Sequence, residues 1–275
     1  MNIGLIGAEN SHTKAFGKLF NTEGKSPGNR ITHVYGDDSA EAAEKLAAEF
    51  GLTICATEEE LLAACDAVVI TYRCGSRHYE PAMRALKAGK AVFNDKPFAA
   101  TAEQAKALGD YAAANGLLLT GGSSWKSVPA VLNLRKELVP GSTAVISYGA
   151  DVASPYDGFT FYGIHSVELC LSLFGTDYKS VSAVNHHGAV VATVVYETGQ
   201  CVIMTRPDVY DLQLLHVTPG QSTVCDMSDM GGNICPEEFA KMLETNKAPH
   251  PYGSFAESIT LLTEIMDKAG LQAQA

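Results

Sequence analysis

Two apolar runs of strand length, with one helical stretch between them, constrain this chain more than any other feature. The first is Asp66-Ala67-Val68-Val69-Ile70-Thr71 and the second Ala91-Val92-Phe93-Asn94, and the helical stretch between them ends near Gly89. Strand, helix and strand joined in this way make a parallel pair. The second run continues into Asp95-Lys96-Pro97-Phe98, and a new helix opens at Thr101-Ala102-Glu103-Gln104. In open parallel sheets the carboxyl ends of the strands are where ligands bind. A lysine placed there by a rigid strand, with proline fixing the next torsion, is well held for chemistry. A surface lysine after a strand is the competing reading. It ranks second because Asn94, Asp95, Lys96 and Pro97 fall together at the one functional edge.

The chain ahead of these runs repeats the alternation. Residues 2–7 read as a buried first strand turning at Gly7, with a helix over 13–20. A dinucleotide fold carries Gly-x-Gly-x-x-Gly at this turn, where the glycines let the backbone approach a diphosphate. Here Gly7 fills the first position, and Glu9 and His12 occupy the second and third. Glu9 adds bulk and negative charge, while Asn10, Ser11 and the helix amides remain anion donors. A second strand over 31–36 ends at Asp37-Asp38, and Asp38 with Glu41 has capping-box spacing for a helix over 40–50 that stops at Gly51. If Asp38 caps, Asp37 is left at the strand end, placed to accept hydrogen bonds from an adenosine ribose. The alternative is two acids that only solvate a turn. No Arg or Lys directly follows Asp37, so a 2′-phosphate would meet only negative charge and NAD is expected over NADP. Thr57-Glu58-Glu59-Glu60 caps a short helix before the 66–71 run, which leads into Tyr72-Arg73-Cys74. Arg73 is either a partner for Glu9 or a phosphate, or a solvated arginine. After a helix over 102–115 and a strand over 117–120 the alternation stops, which puts a domain boundary near Gly121-Gly122.

Beyond the boundary, residues 144–152, 180–189, 190–196, 200–206 and 212–218 read as strands, with a hairpin signal at Glu197-Thr198-Gly199-Gln200. A helix over 163–171 interrupts them, and two later helices start at Cys235-Pro236 and at Ser254-Phe255-Ala256-Glu257. The expected architecture is therefore an α/β Rossmann-type dinucleotide-binding domain, residues 1–120, and an α+β domain with an open antiparallel sheet, residues 121–275. An open sheet has to be covered, which suggests a homo-oligomer. In the inserted helix His165 and Glu168 are three apart and share a face. His186-His187 are adjacent on a strand and should point to opposite faces; with no third ligand spaced to join them, no metal site is expected. Trp125 and Lys126 are candidates for a substrate cleft, with core or surface roles equally open.

Composition narrows the partners. With 275 residues, 46% hydrophobic and 19% charged, the chain reads as a soluble globular protein of one large or two ordinary domains. No apolar run reaches a membrane span, and the opening residues lead straight into the glycine turn with no signal peptide. Seven widely spaced cysteines form neither a disulfide framework nor a metal pattern, which suits a reducing cytoplasm. A net charge of −11 with no basic patch argues against nucleic acid and anionic membranes, leaving a small molecule.

Asp95-Lys96-Pro97 resembles the Glu-Lys-Pro motif of the Gfo/Idh/MocA oxidoreductases, the glucose-fructose oxidoreductase and inositol dehydrogenase family. The lead-in through Asp66–Ile70, His78, Ala82, Ala85-Leu86, Gly89-Lys90 and Val92 is similar too, and the first half carries the resemblance better than the second. It implies a catalytic Lys96 and a nicotinamide cofactor contacted by Gly7, Ala8, Asn10, Ser11, His12, Asp37, Thr71, Tyr72, Arg73, His78, Asp95 and Lys96. His78 alternatively only caps the helix after it. Gly163-Ile164-His165-Ser166-Val167-Glu168 resembles the family's Gly-x-His-x-x-Asp segment, whose histidine lies beside the lysine. Where the family often has an aspartate four residues before that histidine, this chain has Phe161, and Tyr162 is the nearest polar substitute. The implied function is NAD-dependent oxidation or reduction at a hydroxyl-bearing carbon of a sugar, polyol or similar molecule. Lys96 would polarise the oxygen, His165 exchange its proton, and Glu168 or Tyr162 orient the histidine. The rivals are a relative using tightly bound NAD for elimination or glycoside cleavage, and a non-catalytic binding protein on the same fold.

Overall fold

Six short parallel strands build the first sheet of the computed structural model, which describes residues 1–227 and 234–272. They are β1 (Asn2–Ile6), β2 (Arg30–Tyr35), β3 (Thr53–Ile54), β4 (Ala67–Ile70), β5 (Ala91–Asn94) and β6 (Leu119–Gly121), in the order β3-β2-β1-β4-β5-β6. The order reverses between β1 and β4, and at such a switch point the crevice outside the strand ends takes a dinucleotide. Helices α1 (His12–Gly17), α2 (Ala40–Phe50), α3 (Glu58–Ala64), α4 (Tyr79–Lys87) and α5 (Ala102–Asn115) connect the strands. Their ends follow local chemistry. Thr57 and Thr101 cap α3 and α5 by accepting from the amides of Glu60 and Gln104, and Gly51 and Gly116 end α2 and α5 in the left-handed conformation.

The chain divides into two units, residues 1–122 with 234–256 and residues 123–227 with 257–272. The sequence reading kept everything after residue 120 together; instead, helix α8 (Ile234–Thr245) completes the core of the first unit. Its Phe239 is fully buried, with ring centroids 6.2 Å from Phe16, 6.2 Å from Phe20 and 5.9 Å from Phe93. Phe255, at the start of α9 (Gly253–Lys268), stacks on Phe98 at 4.0 Å.

In the second unit a short 3-10 turn (Ser124–Ser127) and α6 (Pro129–Glu137) precede a six-stranded sheet. The strands are β7 (Ser142–Gly149), β8 (Ser180–His186), β9 (Ala189–Val195), β10 (Gly199–Arg206), β11 (Gln213–Thr218) and β12 (Gln221–Cys225), ordered β12-β11-β7-β10-β9-β8. The expected antiparallel sheet needs one correction: β7 and β10 run parallel over their full length, because the β8-β9-β10 meander follows a helical crossover and returns in the direction of β7. That crossover contains α7 (Thr160–Phe174), buried along most of its length. Neither α6 nor β12 was anticipated; β12 is an edge strand of mostly exposed side chains and has no buried alternation to read.

The two histidines also differ from expectation. β8 stops at His186, while His187 (φ 50°) and Gly188 (φ 82°) form the turn, so the rings lie side by side, 4.3 Å apart, rather than on opposite faces. Among the described residues no group of three or more metal-ligating side chains is assembled, and no helix is long and apolar enough to cross a membrane.

The side of the second sheet whose residues remain accessible carries two uncharged rows across the strands. One row pairs Val184, Val191, Met204, Ser147 and Gln213; the next pairs Ser182, Thr193, Val202, Val145, Leu215 and Val224. Neither row contains an acidic or basic side chain, and Val184 and Val224 are 63% and 67% exposed.

The aromatic cluster around Phe239 yields a direct test. Phe239→Ala should destabilise the first unit by about 3–5 kcal/mol, the usual cost of emptying a buried aromatic site. Denaturant unfolding measures it, and a loss under about 1 kcal/mol would remove α8 from that core.

Candidate functional site

At the end of β5 the chain places three polar residues in succession away from water: Asn94, Asp95 and Lys96 are 0%, 0% and 3% exposed. The Asp95 carboxylate oxygen Oδ2 accepts from Asn10 Nδ2 at 3.0 Å and lies 2.8 Å from His12 Nδ1. Burial raises the Asp95 pKa, but the charge and hydrogen bond of His12, with Lys96 and His78, more than offset it and hold the group down at about 2. Burial drives the neighbouring Lys96 amine the other way; Asp95 opposes the drop, Arg73 adds to it, and the result is about 8. An amine near 8 exchanges its proton far more readily than a solvated lysine.

The departures from the glycine pattern are explained by these partners. His12, in the third glycine position, is held by Asp95, and the Glu9 carboxylate receives Arg73 Nη1 at 3.2 Å. Gly7 keeps the role that only glycine can play: its φ is 87°, and a Cβ there would sit 3.0 Å from the Tyr72 ring and backbone nitrogen. Asn10 Oδ1 accepts from the His12 amide, which leaves the amides of Asn10 and Ser11 with no acceptor among the described residues. Two buried acceptors, Asn94 Oδ1 and Asp95 Oδ1, likewise have no donor there. A turn cleared by Gly7, two open amides at a helix start and two buried acceptors at the strand edge fit a dinucleotide.

Four expectations change. Asp38 does not cap α2: Ser39 does, accepting from the Ala42 amide, and the Asp38 carboxylate instead accepts from the amides of Ala8 and Glu9. Ser39 is the better placed residue because its extended backbone precedes the first helical turn. Asp37 is not free either. It accepts from the Tyr72 hydroxyl at 2.7 Å and from Arg77 Nη2 at 2.6 Å, so a 2′-phosphate there would not meet only negative charge. The carboxylate bond and burial together raise the Tyr72 pKa, burial being the larger cause. His78 makes no cap bond; it is fully buried, with one ring nitrogen at the Pro97 carbonyl and the other 2.8 Å from the Tyr72 carbonyl. Thr71 is buried as well, donating to the Gly7 carbonyl at 3.0 Å, and so ties β4 to the loop.

In the second unit His165 is 5% exposed on α7, and its Nδ1 lies 2.6 Å from the Ser123 hydroxyl. Glu168, expected to orient it, has other partners: both oxygens face the Ser123 amide at 3.2 Å, and Lys126 Nζ lies 3.0 Å from Oε2. Aromatic rings enclose the imidazole, with centroids 4.7 Å away for Trp125, 5.7 Å for Tyr162 and 6.0 Å for Tyr148. Burial, then the Tyr162 and Tyr210 hydroxyls, pushes the Tyr148 pKa up to about 12. Phe161, in place of the aspartate, packs against Tyr156 and Tyr162. Sequence reasoning does not find Arg77, Ser123, Tyr148 or Tyr210, and takes Asp38 only as a helix cap. The available signal for Ser123 was a serine followed two residues later by Trp125, the spacing of a turn in which the hydroxyl accepts from that amide.

Comparison with known proteins accords with this geometry. Residues 1–123 match the Gfo/Idh/MocA family description, an oxidoreductase family with an NAD-binding Rossmann fold. The "Uncharacterized oxidoreductase YhhX" of Escherichia coli (strain K12) is 34% identical over 122 residues, which are 39% of this chain and 35% of that protein; the chain thus spans about a third of this relative's length. Many solved structures share the fold, among them the following two. UDP-N-acetylglucosamine 3-dehydrogenase GnnA from Acidithiobacillus ferrooxidans aligns over 99% of both chains with a TM-score of 0.78 and 19% identity. GenD2 from gentamicin A biosynthesis, in complex with NAD, aligns over 98% of this chain and 94% of its own with a TM-score of 0.81 and 15% identity. Residues 1–123 are thus similar to the Gfo/Idh/MocA oxidoreductases, whose description is an NAD-binding Rossmann fold.

Proposed function

We propose that the protein is an NAD(P)-dependent oxidoreductase acting on a hydroxyl-bearing carbon of a sugar, polyol or related small molecule. The observation that carries this reading is Lys96, buried at the end of β5 beside an anionic Asp95 and held at about 8. Gly7, the amides of Asn10 and Ser11, and Asp37 would hold the dinucleotide, whose nicotinamide supplies or accepts the hydride when bound. The likeness to UDP-N-acetylglucosamine 3-dehydrogenase GnnA supports a carbohydrate-like substrate. Lys96 donates from its ammonium to the substrate oxygen and favours the alkoxide or carbonyl character that develops there. His165 exchanges the oxygen's proton at Nε2. The Ser123 hydroxyl accepts from Nδ1–H in both protonation states of the ring, which leaves Nε2 as the nitrogen that gains and loses the proton. The non-catalytic reading loses ground because Glu9 and His12, its best support, have the partners Arg73 and Asp95.

The accessible, uncharged rows of the second sheet support a homo-oligomer formed through that face. Two copies that each carry −11 repel least where neither presents charge. All seven cysteines are thiols rather than disulfides, which supports placement in a reducing cytoplasm.

Three measurements test these assignments. Lys96→Ala should abolish turnover of NADH or NADPH while leaving dinucleotide affinity nearly intact, and kcat in the unaltered protein should fall as pH rises through about 8, where the ammonium is lost. Full activity in Lys96→Ala, or a flat profile from neutral to alkaline pH, counts against the role. His165→Ala should lower kcat by about two to four powers of ten, and Ser123→Ala should shift the limb of the pH profile that His165→Ala removes. An unmoved limb in Ser123→Ala would leave Ser123 with a structural part only. For assembly, sedimentation should give a species larger than 29.2 kDa that Val202→Asp reduces to monomer without loss of NADH binding; a monomeric parent protein would sink that reading.

A further inference from the structure

Asp37 and Arg77 stand where a dinucleotide-binding fold reads the adenosine ribose, since Asp37 follows β2 at the carboxyl edge of the sheet. Arg77 comes from a different segment, the 3-10 turn Gly75–Arg77 after β4, so nothing near Asp37 in sequence announces it. Its guanidinium Nη2 lies 2.6 Å from Asp37 Oδ2, and its Cζ lies 3.9 Å over the centre of the Tyr72 ring. The ring supports the guanidinium on one side, as an aromatic face does for arginine. The Tyr72 hydroxyl meanwhile donates to the other carboxylate oxygen of Asp37 at 2.7 Å.

Charge accounting then differs from that of a site built to reject a 2′-phosphate. Asp38, the second acid, has its carboxylate committed to the amides of Ala8 and Glu9. Asp37 alone faces Arg77, and their side chains are 35% and 41% exposed. Ion pairs with this much solvent access are weakly held and exchange readily. A phosphate is a better partner for the guanidinium than a carboxylate is, because it offers more charge and the same bidentate geometry. If Arg77 turns to such a group, Asp37 keeps the Tyr72 hydroxyl, so it is not left without a donor.

We propose that Asp37 and Arg77 form an exchangeable pair that accepts either a ribose 2′-hydroxyl, through Asp37, or a ribose 2′-phosphate, through Arg77. The site therefore takes NADP(H) as well as NAD(H). This rests on the reading above that the first unit binds a dinucleotide.

The test is fluorescence titration of the full-length protein with NADH and with NADPH, for the unaltered chain and for Arg77→Gln and Asp37→Asn. The unaltered chain should bind the two with dissociation constants within about tenfold of each other. Arg77→Gln should weaken NADPH by about tenfold or more and NADH by less than about threefold, the selective loss of a phosphate contact. Asp37→Asn should act in the opposite sense, weakening NADH and leaving NADPH equal or tighter. A preference for NADH above about a hundredfold in the unaltered chain overturns the proposal, as does an equal effect of Arg77→Gln on both nucleotides. If the unaltered chain binds neither, the dinucleotide reading itself falls and this inference with it.

Discussion

One buried carboxylate ties the first unit's candidate site together. Asp95 sits at the end of β5 with no exposure, and its ionised oxygen is shared between Asn10 and His12, both from the loop after β1. A buried anion without donors would be costly, so the loop must close onto β5 for the carboxylate to remain charged. The charge then bears on Lys96 next along the chain. Burial alone would push that amine far from its ordinary range, and Asp95 limits the drop, which leaves it poised near 8 rather than permanently neutral.

The same interaction explains why the glycine pattern could be given up. In a loop with three glycines, the third permits close packing of helix on strand. Here His12 occupies that position and turns the packing into a hydrogen bond with Asp95, and Asn10 adds a second. Glu9 would place an uncompensated charge beside a diphosphate, but Arg73 neutralises it from the end of β4. Asp38 holds the loop from below through the amides of Ala8 and Glu9. The conformation thus relies on side chains from β2, β4 and β5 where glycines alone would otherwise serve, and only Gly7 remains indispensable for its backbone angle.

What was legible in the sequence follows from this division between local and distant causes. α2 came out at residues 40–50 and ends at Gly51 because both signals are local: a capping residue ahead and a glycine behind. Its cap was misassigned by one residue, since Asp38 and Ser39 both fit and the choice depends on a carboxylate being claimed by amides about thirty residues away. Lys96 was visible because the strand, acid and proline around it are contiguous. Arg77 was not: its partner is forty residues distant, and its neighbours Ser76 and His78 carry no sign of that pairing. The parallel β7–β10 pair was hidden for a related reason, since only the path of the intervening chain decides which strands become neighbours.

The histidine of the second unit shows how a missing residue can be replaced by another kind of partner. With Phe161 in the aspartate's position, no carboxylate is available one turn before His165, and the aromatic side chain packs against Tyr156 and Tyr162. The Ser123 hydroxyl takes over at Nδ1, fixed in turn because it accepts from the Trp125 amide while the Ser123 amide faces Glu168. Lys126 balances the charge of Glu168, so the acid works as an anchor for the serine's backbone and not as a partner of the imidazole. A carboxylate would hold the ring mainly in its charged form. A hydroxyl accepts from Nδ1–H whether or not Nε2 carries a proton, and so keeps the same ring orientation before and after the proton moves.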